Sequence, residues 1–121
     1  NLEYVIDRDP DIYVATGGTH RANAAGVLVG TGIPEEDARA SLRRVTERPG
    51  ISGIAAVGKG QVHALWHNFY SSPLNIVALE ALATWIHPDL FKDVDPAATL
   101  AEINSRFLAV PGEGTYWASL D

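Results

Sequence analysis

Apolar residues fall in short runs separated by glycine and proline clusters, and strand-like runs alternate with helix-like ones. Leu2, Tyr4, Val5 and Ile6 read as the tail of a helix over residues 1–8. Asp9-Pro10-Asp11 breaks it, because proline lacks an N–H and disfavours helix in the residue before it. Ile12-Tyr13-Val14-Ala15-Thr16 is short and rich in β-formers, which predicts a buried strand. It closes on Gly17-Gly18, where backbone can turn tightly or approach a ligand closely. Residues 22–33 are rich in glycine and alanine and read as loop, with Val27-Leu28-Val29 as a short strand within it.

The spacing predicts a surface helix over 34–47. Pro34 suits its start, Glu35, Glu36 and Asp37 face the positive N-terminal end, and Arg43, Arg44 and Arg48 the negative end. Ala38, Leu42 and Val45 form a narrow apolar stripe, so one face is buried. Runs at 54–57 and 62–66 flank the turn Gly58-Lys59-Gly60 and read as strands. Residues 73–86 predict a helix apolar nearly all round, capped by Ser72 with Pro73 first; such a helix is expected to be packed on most sides. His87-Pro88 stops it. Asp95-Pro96 opens a last helix with Leu100, Ile103 and Phe107 on one face, and 115–120 reads as a short terminal strand or a tail. Strands alternating with helices predict an α/β fold: three layers, αβα, around a small, mainly parallel sheet.

One stretch stands apart, VHALWHNFYSSP at 62–73. A strand ending at Trp66 runs into a helix through His67, Asn68, Phe69 and Tyr70. Open α/β sheets place ligand sites at such strand-to-helix junctions. Amphipathic rings among a few polar groups suit a pocket, and the N–H groups that open the following helix favour an anionic ligand group.

Composition narrows the partners. Nine Lys and Arg against 15 Asp and Glu give a net charge of −6, which argues against nucleic acid and anionic lipid as partners. There is no cysteine, hence no disulfide and no thiolate chemistry. There is no methionine either, and Asn1-Leu2-Glu3 resembles neither a start nor a signal peptide, so the chain is expected to be a piece of a longer protein. The longest apolar run, 76–86, is interrupted by Glu80 and is too short to span a bilayer.

Catalytic and metal chemistry find little purchase. His63 and His67 are four apart, a zinc spacing on a helix, but on a strand four residues span roughly 13 Å. Thr16-Gly17-Gly18-Thr19-His20 lacks the Lys-Ser/Thr ending of a phosphate loop, and Gly30-Thr31-Gly32 is not a dinucleotide fingerprint. No GxSxG elbow exists. Glu80 and Glu102 sit on helix faces with no evident partner. No catalytic residue, metal ligand or cofactor is therefore nominated. The alternative kept open is a small α/β enzyme domain acting on a phosphorylated or nucleotide-like substrate through the Thr16–Thr19 loop; a purely structural or interaction domain is a third.

Four segments together resemble a known family: DPDIYVATGG at 9–18, RPGISGIAAVGKGQVHALW at 48–66, HNFYSSPLNIVALEALATWIHPDLF at 67–91 and DPAATLAEINSRFLAVPGEGTYW at 95–117. The chain is similar to the C-terminal lobe of the substrate-binding proteins of ABC importers for iron–siderophore, haem and cobalamin-type ligands, and its tail to an iron-transport subgroup. The resemblance implies a non-enzymatic, bilobal protein with two α/β lobes joined by a long helix, binding ligand between them. Residues 1–121 would be the second lobe alone, without the N-terminal lobe and most of the connecting helix. It implies Gly17, Gly18, Trp66, His67, Asn68, Phe69 and Tyr70 as ligand-binding candidates, and Glu35 or Glu36 as the acidic contact to the permease. The ligand would be a ferric siderophore or similar metal chelate, although Arg21 is the one arginine in the candidate loops. The location would be periplasmic or lipid-anchored outside the membrane, with a signal peptide on the parent. An isolated lobe would expose apolar surface and could dimerise through it.

Overall fold

The computed structural model describes residues 1–21 and 26–120, with Arg21 described by its backbone alone. The loop reading over 22–25 lies outside the described residues. The chain divides into two compact units, Asn1–Trp66 with Gly114–Asp121, and His67–Glu113.

The first unit is built on a three-stranded sheet in the order β1-β3-β5. Strand β1 (Tyr13–Gly17) runs parallel to β3 (Val62–Trp66), from Tyr13 opposite Val62 to Gly17 opposite Trp66. Val27 adds a parallel bridge to Gly17. Strand β5 (Trp117–Leu120) pairs antiparallel with β3, so the sheet is mixed but mainly parallel. A separate antiparallel pair joins β2 (Gly30–Thr31) to β4 (Gly114–Thr115).

Helix α2 (Glu35–Thr46) packs on β3 and β5 through Ala38, Leu42 and Val45, the stripe its sequence spacing predicts. These side chains form one core with Val27, Val29, Val62, Ala64 and Ala118. Leu42 is fully buried, worth roughly 2 kcal/mol of apolar transfer. Ser41 is equally buried and is made tolerable by two bonds: it accepts from the Leu28 N–H at 2.8 Å and donates to the Ala38 carbonyl at 2.7 Å. Helix α1 (Leu2–Arg8) ends on Asp9 in the left-handed region and lays Val5 against a smaller cluster of Ile51, Ile54 and Ala56.

The segment expected as a strand at 54–57 is instead one helical turn, α3 (Ala55–Gly58). Its backbone is bonded to the turns around it: the Ala56 N–H donates to the Pro10 carbonyl at 2.9 Å, and the Ala56 carbonyl accepts from the Gln61 N–H at 2.8 Å. Its donors close locally, Lys59 N–H to the Ala55 carbonyl at 2.9 Å, while the Asp9 carboxylate accepts from the Ala55 N–H at 2.6 Å.

In the second unit a 3-10 turn over His67–Ser71 leads into α4 (Asn75–Ile86), followed by α5 (Pro96–Arg106). Helix α4 begins two residues later than predicted. Ser72 does not cap it as expected; its hydroxyl accepts from the Leu74 N–H at 3.2 Å and donates to the Phe69 carbonyl at 3.4 Å, holding Pro73 in a turn. Asp95 does cap α5, accepting from the Ala98 N–H at 3.2 Å. Glu80 is not partnerless: the Thr99 hydroxyl donates to it at 2.8 Å, tying α5 to α4. Glu102 pairs with Arg106 one turn on.

The expected packing of α4 fails. Helix α4 buries Val77, Ala78 and Ala81 but leaves Ile76, Leu79 and Ile86 exposed, so it is covered on one side rather than most. Phe107 is exposed because α5 ends at Arg106; the ring lies past the last turn, with the Arg106 guanidinium 5.2 Å from its centroid. Among the described residues no helix is long and apolar enough to cross a membrane.

Candidate functional site

Trp66 is the last residue of β3 and lies beside Gly17, the last of β1, so both stand at the carboxyl end of the parallel pair. In open α/β sheets that end carries the ligand. Gly17 and Gly18 are both buried. A Cβ on Gly17 would collide with the Val27 carbonyl, so the absent side chain there is required by the close approach of the 26–29 segment. A Cβ on Gly18 would lie 3.1 Å from the imidazole of His20, which is itself exposed.

The Trp66 ring is held from several directions within the first unit. Its backbone N–H donates to the Tyr116 carbonyl at 2.8 Å, one step beyond the last register pair of β3 with β5. The indole meets the Tyr116 ring edge to face, 5.1 Å between centroids at 75°. On the Gly30 side, a Cβ would come within 3.1 Å of the indole Nε1 and 3.0 Å of the Thr19 methyl, and Gly30 has φ of +130°. The Tyr116 hydroxyl shares a hydrogen bond with that of Thr31 at 2.8 Å, across 85 residues of sequence. Tyr116 is 4% exposed, whereas Trp66 is half-buried.

The second unit supplies the other candidates. His67, Asn68 and Tyr70 are exposed on the 3-10 turn, Tyr70 at 73%, and the His67 and Tyr70 rings meet edge to face at 5.1 Å. Phe69 is 2% exposed, so its ring lies inside while its neighbours lie at the surface. The alternation follows from the turn: with three residues per turn, Phe69 points in while the positions either side point out.

His63 is remote from this chemistry. It is buried in the middle of β3, its Nδ1 2.7 Å from the Ser119 hydroxyl and its Nε2 3.4 Å from the Gln61 amide oxygen. Burial pushes its pKa down to about 4, so it is neutral near pH 7. Its ring is committed to the sheet while His67 is exposed, and among the described residues no cluster of three or more His, Cys, Asp or Glu could hold a metal ion. Glu35 and Glu36 are exposed on the first turn of α2, where they line a shallow depression with Arg39, Ala40 and Arg43; Arg39 donates to Glu35 at 3.1 Å.

Gly30, Thr31 and Tyr116 were not among the residues nominated from sequence. A two-residue strand such as β2 or β4 gives no periodic signal. The tail GTYW places two aromatics side by side, which was the available hint.

A mainly parallel α/β unit with an aromatic at the carboxyl end of its central strand, followed along the chain by a helical unit, is similar in fold to part of a TroA-like periplasmic binding protein. The solved structure of the TroA-like periplasmic binding protein FepB from Veillonella parvula is similar over 100% of this chain, with 31% identity and a TM-score of 0.92. The match covers 35% of that protein's chain, so the present chain spans about a third of its length. No family model matches the sequence, and no curated protein does.

Proposed function

We propose that this chain is the C-terminal lobe of the substrate-binding protein of an ABC importer, and that the ligand is a ferric siderophore or a related metal chelate. The observation that carries this reading is the end-to-end likeness to a binding protein about three times as long. The parent's first lobe and connecting helix would supply the rest of the cleft, and the parent would work outside the cytoplasmic membrane, free or lipid-anchored. The exposed acidic start of α2, Glu35 and Glu36, is the proposed contact to the permease; complementary charge there would set orientation and encounter rate more than affinity.

Of the ligand-binding candidates, Trp66, His67, Asn68 and Tyr70 have side chains able to meet a ligand. Gly17, Gly18 and Phe69 are buried and contribute by shaping the backbone that carries the others. Tyr70 and Trp66 offer flat apolar area at low conformational cost, suited to the aromatic or hydroxamate periphery of a chelate.

The test uses the full-length protein. Ferric catecholate and hydroxamate siderophores, haem and cobalamin are titrated while tryptophan emission is followed. Saturable quenching by a ferric chelate, much reduced in Trp66→Phe, supports the reading. No response from any of these ligands counts against it.

A further inference from the structure

We infer that Tyr116 is a positioning residue for Trp66, acting through its hydroxyl pair with Thr31, so that the indole stands as a fixed wall rather than a mobile side chain. This rests on the proposed ligand-binding role of Trp66 for its functional meaning, but not for its geometry. Tyr116 sits where the chain leaves β4 and enters β5. Its main chain therefore belongs to two pairings: β4 is bonded to β2, and the Tyr116 carbonyl accepts from the Trp66 N–H at 2.8 Å. Its ring presses on the indole, and its hydroxyl reaches back to Thr31 on β2 at 2.8 Å.

The result is a closed circuit of contacts around one half-buried ring. Gly30 bounds the indole on one side and Tyr116 on another; Thr31, the residue after Gly30, bonds Tyr116. A tryptophan at a strand end has two soft side-chain torsions, and an edge-to-face neighbour alone leaves the neighbour free to swing as well. The Thr31 hydroxyl removes that freedom from Tyr116, which is buried at 4% exposure and needs a partner for its own hydroxyl. Pre-organisation of this kind raises affinity by lowering the ordering cost of binding rather than by adding a contact.

The experiment compares Tyr116→Phe, which keeps the ring and removes the hydroxyl, with Thr31→Val, which removes the same bond from the other side. Each is made in the full-length protein with and without Trp66→Phe. The near-UV circular dichroism of Trp66, taken as the difference between each pair, reports how firmly the indole is held. Both variants are expected to lose about half or more of that band, and the double variant no more than either alone. A purely structural bond would lower the melting temperature and leave the Trp66 band intact, and that result overturns the inference. Where the wild type binds a ferric tris-catecholate or tris-hydroxamate probe, Tyr116→Phe is expected to weaken it about tenfold, and unchanged affinity overturns the functional half. If the wild type binds neither probe, the ferric-siderophore reading fails, while the Trp66 spectra still decide whether Tyr116 positions the ring.

Discussion

The indole of Trp66 and the ring of Tyr116 meet edge to face at 5.1 Å, at the point where the end of β3 faces the bend between β4 and β5. That contact needs Gly30 to stay bare, because a side chain there would press on the indole and force an L-residue to φ of +130°. Gly30→Ala is therefore expected to cost about 1–3 kcal/mol. Gly17→Ala is expected to cost a similar amount by overpacking against the Val27 carbonyl. Gly58 ends α3 with open space around it, so Gly58→Ala should be neutral or stabilising by up to about 1 kcal/mol. Urea unfolding midpoints of the three variants check the order.

The burial of His63 gives stability a pH dependence with a definite sign. The folded-state pKa of His63 is lowered from 6.5 to about 4, so between those values the unfolded chain binds more protons than the folded one. Stability from this residue is fully present above about pH 6.5 and is lost as pH falls toward 4. Denaturation series at pH 7, 5.5 and 4.5 should show the decline, and His63→Gln should flatten it. An equal slope in wild type and variant would assign the acid lability to other groups.

In the helical unit, the Thr99–Glu80 hydrogen bond crosses from α5 to α4. A double-mutant cycle with Thr99→Val and Glu80→Gln is expected to give a coupling of about 1 kcal/mol, as for one hydrogen bond to a charged group at a part-buried site. Additive effects would mean that the bond contributes nothing to joining the two helices.

Ile76, Leu79 and Ile86 leave an apolar stripe along the exposed side of α4. The 121-residue chain on its own is expected to self-associate with rising concentration, and Leu79→Glu to suppress this, as read by sedimentation velocity. A chain that stays monomeric throughout would show the stripe to be harmless surface.

How much of this was legible in the sequence depends on the range of the forces involved. Helices α2 and α5 were readable because local charge, capping and an apolar stripe agree; Asp95 and Ala38-Leu42-Val45 do what their spacing predicts. Strands β1 and β3 were readable as runs of β-forming residues. The turn at 55–58 was not, because Ile54-Ala55-Ala56-Val57 suits a strand or a helix equally, and its bonds to the Pro10 carbonyl, the Gln61 N–H and the Asp9 carboxylate come from outside that local pattern. The start of α4 moved because Ser72 found Phe69 and Leu74 before it could cap. At the candidate site, the sequence placed Trp66 at the end of a strand and Tyr70 in the turn beyond it, where the structure also has them. Gly30, Thr31 and Tyr116 gave no such signal, since the Thr31–Tyr116 hydrogen bond joins residues 85 apart, which no local pattern encodes.

The proposed ferric-chelate site includes the segment that follows β3. Hydrogen exchange of the full-length protein, with and without a saturating ferric siderophore, tests it most directly. Exchange at residues 66–71 is expected to slow on binding, with α5 unchanged. Binding that leaves 66–71 untouched, or no binding by any ferric chelate, would contradict it.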